Sequence, residues 1–181
     1  MDNTNIHEGI ILIPDFNGFT EFVFTTKLYT GEYIIRQLLT VLIEVNDQYF
    51  DISEIEGDAI LFFKYDQKPS YRKVSKILSN MRNAFNMKIQ ELSELLNTTI
   101  KLSLKFIVHY GMFSQYKIGN FRKLYGKPIV EAHQMLKNKF SGHSSYAFLS
   151  HCFLKSCKFD VEVCHDIKKI HLAEDGLFRL F

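Results

Sequence analysis

The sequence has no tryptophan, three prolines and nine glycines in 181 residues. So few chain-breaking residues exclude collagen-like and low-complexity chains and favour a globular fold. No apolar run reaches the roughly 20 residues that a membrane-spanning helix requires. Neither charge dominates, because 22 basic residues oppose 20 acidic ones, so nucleic acid is not predicted as a partner. The basic runs 64–76 and 117–127 are interpreted as solvated faces that can attract phosphate locally.

Cysteine is also scarce, and the three present lack the spacing of a disulfide framework: Cys152, Cys157 and Cys164. Reduced thiols fit a cytoplasmic protein best, and residues 1–5 lack the basic and apolar regions of a secretion signal. Four histidines lie in the same part of the chain: His143, His151, His165 and His171. Because no C-x-x-C or H-x-x-x-H pair accompanies them, we do not predict a zinc site.

Hydrophobic periodicity predicts the elements of the first half of the chain. Residues 9–15 form an apolar run typical of a buried strand, and a short helix follows from Thr20. A longer helix is predicted after Gly31, with one apolar stripe: Ile34, Ile35, Leu38, Leu39, Leu42 and Val45. Residues 50–56 and 58–64 have the pattern of a hairpin around a tight Glu56-Gly57 turn.

The second half begins with a long helix, which Pro69-Ser70 starts and Asn97-Thr98 ends. Residues 102–110 alternate as a strand, which Gly111 is predicted to break. A short helix is predicted over residues 129–136.

The order of strand, helices, hairpin, helix and strand predicts an α+β fold of the ferredoxin-like type, a mixed sheet with helices on one face. From about residue 145 the chain adds two or three strands. A chain of this length is most simply one domain, so we expect residues 1–181 to form a single unit.

Two aspartates stand at the ends of predicted strands. Asp15 closes the first apolar run, before Asn17-Gly18 turns the chain into a helix, and Asp58 follows Gly57 at the start of another apolar run. Carboxylates that converge at adjacent strand ends form a site for a hard cation, and a nearby helix N-terminus suits phosphate. The alternative is structural: Asp15 caps the helix and Asp58 is an ordinary turn residue.

Four segments in this order resemble the catalytic domain of class III nucleotidyl cyclases, the adenylate and guanylate cyclase family. They are Asp-Phe-Asn-Gly-Phe-Thr at residues 15–20, Gly-Asp-Ala-Ile at 57–60, His109-Tyr110-Gly111 with the downstream Gly119, and Gly126. The resemblance covers residues 9–138, and residues 139–181 are expected to be C-terminal strands of the same domain. It implies a divergent, bacterial-type member of the family.

The resemblance implies the ligands of a metal and nucleotide site. Asp15, Asp58 and the carbonyl of Phe16 would hold two Mg²⁺ or Mn²⁺ ions. The phosphates of a nucleoside triphosphate would lie against the backbone amides of the next four residues: Asn17, Gly18, Phe19 and Thr20.

The positions that read the base in the family are Glu54 and Lys123 here. Glutamate at the first position accepts hydrogen bonds from guanine in guanylate cyclases. Lysine is a donor only, so Lys123 suits a carbonyl edge of guanine or a pyrimidine, or it pairs with Glu54. Glu54 as a plain exposed strand residue is the other interpretation.

The family carries an asparagine and an arginine, four residues apart, on the helix after Gly126, and both act across a homodimer interface. Val130 and Gln134 stand there instead, so the catalytic residues are unknown. Loss of a transition-state arginine lowers phosphoryl-transfer rates by about 10³-fold or more. Substitutes near that helix are His133, Lys137, Lys127 and Arg122, and a phosphate-contacting lysine has candidates in Lys168 and Lys169.

We therefore expect a homodimeric, signalling-type pseudoenzyme: a cyclase-like domain that binds metal and nucleoside triphosphate, with weak or no cyclase turnover. The alternative is an active cyclase that forms a cyclic guanine or pyrimidine nucleotide and pyrophosphate. A third hypothesis is a scaffold without a ligand, which the retained aspartates disfavour.

Overall fold

The computed structural model describes residues 6–137, 145–158, 167–170 and 177–180. Within them lie eight strands: β1 Ile6–Asn17, β2 Asp51–Glu56, β3 Ala59–Tyr65, β4 Ser103–Ile118, β5 Phe121–Tyr125, β6 Tyr146–Ser150, β7 Ile167–Ile170 and β8 Leu177–Leu180. The helices are α1 Phe19–Thr25, α2 Leu28–Val45, α3 Tyr71–Leu95, α4 Lys127–Leu136 and α5 His151–Ser156.

The strands form one mixed sheet in the order β2-β3-β1-β4-β6-β8-β7, with β5 paired to β4. Strand β1 runs antiparallel to its neighbours β3 and β4, while β4 and β6 run parallel. This confirms the predicted α+β class and its mixed sheet. The three strands after residue 145 are also as predicted, whereas the short helix α5 between them was not.

Helices α2, α3 and α5 cover one face of the sheet. Even-numbered β1 residues such as Ile10 and Leu12 pack there against Leu38 of α2 and Leu78 of α3, all fully buried. Phe153 of α5 joins the same cluster. This face forms the larger part of the core.

Helix α4 covers the opposite face, so the expectation that the helices lie on one face was wrong. Ile11 and Ile13 are as buried as their even-numbered neighbours and pack with Ala132 of α4. Successive strand residues point to opposite faces, so the run of six buried residues in β1 requires cover on both sides.

Ser70 starts α3 as predicted, since its side-chain oxygen accepts a hydrogen bond from the Lys73 backbone N–H. Helix α2, in contrast, begins at Leu28 and contains Gly31, which was predicted to precede it. Gly31 costs helix propensity, but residues from Leu28 onward still form the helix, and propensity is a weak constraint beside tertiary packing.

Gly111 does not break its strand, which continues to Ile118. A Cβ at this position would lie 2.5 Å from Cγ of Pro128. The glycine therefore allows the start of α4 to approach the sheet closely, which is a common reason for glycine within a strand.

The residues considered for zinc are only partly described. Cys152 and Cys157 are free thiols, while Cys164, His143, His165 and His171 lie outside the described residues. Among the described helices, none combines the length and the apolar character needed to cross a membrane.

Candidate functional site

Asp15 and Asp58 come together at one end of the β1–β3 pair. Asp15 lies opposite Ala59 in the register, and Asp58 precedes Ala59 in the turn between β2 and β3, where Gly57 has a φ of +59°. Both aspartates line one pocket of about 360 Å³, together with the segment from Phe16 to Glu21 and Lys105. The turn is Gly57-Asp58, one residue later than predicted, so Asp58 is a turn residue that also faces this pocket.

The environment of Asp58 disfavours a negative charge. Burial, and then the nearby charge of Asp15, raise the pKa of Asp58 to about 6. Hydrogen bonds from the backbone of Asp58 and Phe16, and the charge of Lys105, act in the opposite direction and lower the pKa. A carboxylate held in this way gains stability when a cation approaches it.

Lys105 is the pocket residue that the sequence reasoning missed. It lies directly opposite Asp15 in the β1–β4 register, and its Nζ is 2.8 Å from Asp15 Oδ1. The same ammonium group donates to the Leu136 carbonyl at the end of α4 at 3.3 Å. A lysine inside the otherwise apolar run from Leu104 to Val108 was the signal, because a charged residue in a buried strand requires a partner.

The segment after Asp15 is shaped by Gly18. This glycine is the N-cap of α1, with a φ of +87° and no side-chain cap, so Asp15 is not the cap. A Cβ at Gly18 would lie 2.8 Å from the Lys101 carbonyl oxygen. The first N–H groups of any helix lack intrahelical partners, and here they face no capping side chain.

Asn17 contributes an unsatisfied donor to the same segment. Its Nδ2 is buried without a hydrogen-bond partner among the described residues. Buried polar atoms are satisfied in most proteins, and the exceptions require an explanation such as a bound ligand. Asn17 also lines the pocket, so an oxygen-rich ligand there would satisfy this donor.

Glu54 and Lys123 do not line this pocket. They form an ion pair with each other, between β2 and β5, which is one of the two alternatives open for Lys123. The hydrogen bond to Glu54 raises the pKa of Lys123. Within one chain, the predicted base-binding pair is therefore separate from the aspartates.

Val130 and Gln134 lie on the exposed side of α4, and Val130 is 57% exposed. Glu131, one residue on from Val130, turns toward the sheet, where its Oε2 lies 3.0 Å from Nε2 of the buried His109. Lys127 contacts the other oxygen at 3.0 Å. Burial acts to raise the pKa of Glu131, but the hydrogen bonds from Lys127 and His109 outweigh it and lower the pKa.

The described residues contain no group of three or more His, Cys, Asp or Glu side chains suited to a metal ion. A cation at the pocket would therefore have two protein carboxylates, Asp15 and Asp58, with the Phe16 carbonyl as a further oxygen. The side chains of Lys168 and Lys169 lie outside what the structure describes.

Solved structures share this fold over almost the whole chain. The guanylyl cyclase Cya2 matches with a TM-score of 0.75 and 14% identity, covering 98% of this chain and 93% of its own. The adenylyl cyclase CyaB from P. aeruginosa gives 0.74 and 14%, covering 99% and 96%. A class III adenylyl cyclase-like ATP-binding protein from Pseudomonas aeruginosa gives 0.66 and 16%, covering 83% of this chain and 35% of the other.

The fold is therefore that of a class III nucleotidyl cyclase catalytic domain, as the sequence motifs predicted. Residues 35–146 match the profile of a family described as proteins of unknown function, DUF2652, and the chain belongs to this family. A comparison with curated proteins by sequence finds no match.

Proposed function

We propose that this chain is a cyclase-like domain that binds a nucleoside triphosphate with Mg²⁺ or Mn²⁺ and turns it over weakly or not at all. The observation that carries the proposal is the single pocket shared by Asp15, Asp58 and the segment Phe16–Thr20. It combines acidic side chains for a cation with backbone and amide donors for phosphate oxygens.

The donor set fits a divalent cation that arrives with its nucleotide. Mg²⁺ is usually held by one or two carboxylates and completes its shell with water and substrate phosphates. Asp15, Asp58 and the Phe16 carbonyl supply such a set. When bound, the cation neutralises phosphate charge and lowers the pKa of an attacking hydroxyl.

Lys105 is expected to make the pocket prefer a metal–nucleotide complex to a free metal ion. Its ammonium group already neutralises Asp15 at 2.8 Å, so a free cation competes with it. A cation bound to a triphosphate brings oxygens to which a displaced ammonium group can donate. We therefore expect the metal–nucleotide complex to bind much more tightly than the metal alone.

The phosphate oxygens would be held by the segment that follows Asp15. The buried Nδ2 of Asn17 needs an acceptor, and the first N–H groups of α1 point out of a helix whose N-cap is a glycine. Backbone N–H groups at such a turn bind anions without the conformational cost of ordering long side chains.

Weak turnover follows from α4. Val130 has no hydrogen-bonding group to orient a ribose, and Gln134 has no charge to stabilise a transferring phosphoryl group. Both side chains are exposed on the same side of the helix, at the positions where the family carries its asparagine and arginine. The solved class III cyclase-like protein described as ATP-binding is consistent with nucleotide binding on this fold.

The complete site would require two chains. Glu54 and Lys123 do not line the pocket of their own chain, so we propose that this pair faces the base in the pocket of a partner subunit. The β4–β5 hairpin exposes several large apolar side chains that a second copy would cover: Tyr116, Ile118, Phe121 and Tyr125. Exposed apolar residues concentrated in one place are typical of interaction surfaces.

Thermal unfolding with Mn²⁺ and each of the four nucleoside triphosphates tests the binding. A ligand that binds only the folded state raises the melting temperature by mass action. We expect a rise with at least one nucleotide and its loss in Asp15→Asn and Asp58→Asn, while Asp51→Asn, at an exposed aspartate of β2, retains it. If no nucleotide raised the melting temperature, only the hypothesis of a scaffold without a ligand would remain.

Mass spectrometry after long incubation with all four nucleotides separates binding from turnover. We expect little or no cyclic product from the natural sequence. The double variant Val130→Asn/Gln134→Arg restores the family's side chains and should increase the product by up to about 10³-fold. Rapid formation of a cyclic nucleotide by the natural sequence would establish the alternative, an active cyclase.

A further inference from the structure

A second cleft lies at the opposite end of β3 from Asp58. Its volume is about 740 Å³, within the usual range for small-molecule sites. It is bounded by the end of α2, the loop 46–49 and the first turns of α3. Four lysines line it: Lys64, Lys68, Lys73 and Lys76.

The ring of Tyr49 contacts two of these lysines. The Nζ of Lys64 lies 4.7 Å from the centre of the Tyr49 ring, and the Nζ of Lys73 lies 4.3 Å from the same point. Two cation–π contacts on one ring therefore hold the two ammonium groups no more than 9.0 Å apart. In the described part of the chain, none of the four lysines is within 4.0 Å of a carboxylate oxygen.

The loop that carries Tyr49 is held in an unusual conformation. Asp47 and Gln48 both have positive φ, at +47° and +57°, which is uncommon for side chains other than glycine. The buried Asn46 closes the loop: its Nδ2 donates to the Phe50 carbonyl at 2.8 Å, and its Oδ1 accepts from the Phe50 N–H at 3.0 Å. Strain of this kind is often retained at ligand sites.

The acidic residues of the cleft are fewer than the lysines. Asp66 accepts a hydrogen bond from the Lys68 N–H at 3.0 Å, and its backbone carbonyl accepts from the Tyr110 hydroxyl at 3.0 Å. With Asp47 it gives two negative charges against four positive ones. The N-terminus of the long helix α3 adds to the positive potential.

We propose that this cleft binds a small soluble anion that carries several phosphate groups, at a site distinct from that of Asp15 and Asp58. Lysine ammonium groups bind phosphate oxygens through charge-assisted hydrogen bonds. Convergent like charges are costly in the free protein, and a polyphosphate chain relieves that repulsion at several points. Free polyphosphate and a nucleotide triphosphate share this chemistry.

The two sites are separate in space. Asp58 precedes β3, and Lys64 is its sixth residue, so the strand separates them by about 20 Å. Lys64 also belongs with Phe62 on the face covered by α2 and α3, whereas Asp15 belongs with Ile13 on the α4 face. One ligand molecule therefore cannot occupy both.

Isothermal titration with sodium tripolyphosphate, without divalent metal, tests the site in the Asp15→Asn/Asp58→Asn background. We expect Lys64→Gln/Lys73→Gln to weaken binding by about tenfold or more. The matched control Lys117→Gln/Lys155→Gln removes the same charge from exposed lysines elsewhere and should change affinity by less than about twofold. A parallel titration with a nucleoside triphosphate shows whether a base adds affinity.

Charge-conserving variants separate binding from folding. Lys64→Arg/Lys73→Arg keeps both cations on the Tyr49 ring and should retain binding within about threefold. Equal weakening by the two glutamine double variants, or no measurable binding of tripolyphosphate, would overturn the proposal. Because the background lacks both aspartates, either result is independent of the fate of the proposed function.

Discussion

The two faces of the sheet are built from the same strands but differ in chemistry. The face under α2, α3 and α5 is covered by apolar side chains such as Phe62 and Leu78. The face under α4 places Asp15, Lys105 and His109 beside its smaller apolar cluster. The first face supplies the larger apolar cluster, whereas the second also holds titratable side chains among its apolar residues.

The second face carries an energetic cost, because it buries a charged side chain. Buried charges are tolerated only with partners, and Lys105 is 9% exposed and depends on Asp15 and the Leu136 carbonyl. The pocket is therefore held in shape by α4 and by the β1–β4 register, which places Lys105 opposite Asp15. Helix α4 thus contributes to the pocket through the Leu136 carbonyl, which accepts a hydrogen bond from Lys105.

The largest expected effect is on the free energy of unfolding, when one large side chain is truncated on each face of the sheet. Phe62 and Phe63 are successive buried residues of β3 that belong to opposite clusters. Phe62→Ala should lower the free energy of unfolding by about 4 kcal/mol, and Phe63→Ala by about 3 kcal/mol, because the smaller cluster can collapse more completely. Urea unfolding measures both, and a larger loss for Phe63→Ala would reverse our ranking of the two faces.

A smaller effect on the free energy of unfolding is expected when the buried Lys105 is replaced. Lys105→Met leaves Asp15 without its partner beside Asp58, and should lower the free energy of unfolding by about 2 kcal/mol. The exposed Lys101→Met is the control and should change it by less than about 0.5 kcal/mol. If Lys105→Met were as stable as the control, the ion pair would have no role in shaping the pocket.

The smallest effect is the pH dependence from Asp58. Its pKa is about 6 in the folded chain against 3.8 in the unfolded chain, so the folded state binds the proton more tightly. This group therefore destabilises the metal-free protein above pH 6, and the penalty disappears as the pH falls toward 4.

Asp58→Asn should remove that penalty and stabilise the metal-free protein at pH 7.5 by about 1 kcal/mol, well below the full value of the pKa shift because solvent screens this half-exposed carboxylate, with less effect at pH 4.5. Asp51→Asn, on the exposed surface, should have no such pH-dependent effect. Chemical unfolding at the two pH values measures the difference. A destabilised Asp58→Asn at pH 7.5 would show that its carboxylate is already well compensated in the free protein.

The sequence predicted what depends on local patterns. Apolar periodicity located β1 and β3, Ser70 marked the start of α3, and Asp15 and Asp58 were expected to meet because each stands at a strand end. The strands and the start of α3 depend on residues close to one another in the chain, so a single sequence contains the information. The meeting of Asp15 and Asp58 depends on the β1–β3 register, and it was expected from their strand-end positions and from the order of the motifs.

The features that were missed depend on distant residues. Gly111 was expected to end a strand because its contact with Pro128 is invisible without the tertiary structure. Lys105 was overlooked because its partner is set by the β1–β4 register, which joins residues 90 positions apart. The position of α4 on the second face likewise depends on how the chain crosses the sheet.

We propose above all that Asp15 and Asp58 together hold a divalent cation beside a triphosphate. Electron paramagnetic resonance of Mn²⁺, titrated with protein and the nucleoside triphosphate that stabilises it most, measures the fall in free Mn²⁺ beyond the fall that the nucleotide causes alone. We predict tight Mn²⁺ binding that is lost in Asp15→Asn/Asp58→Asn and retained in Asp51→Asn. Unchanged Mn²⁺ binding in the double variant would contradict it.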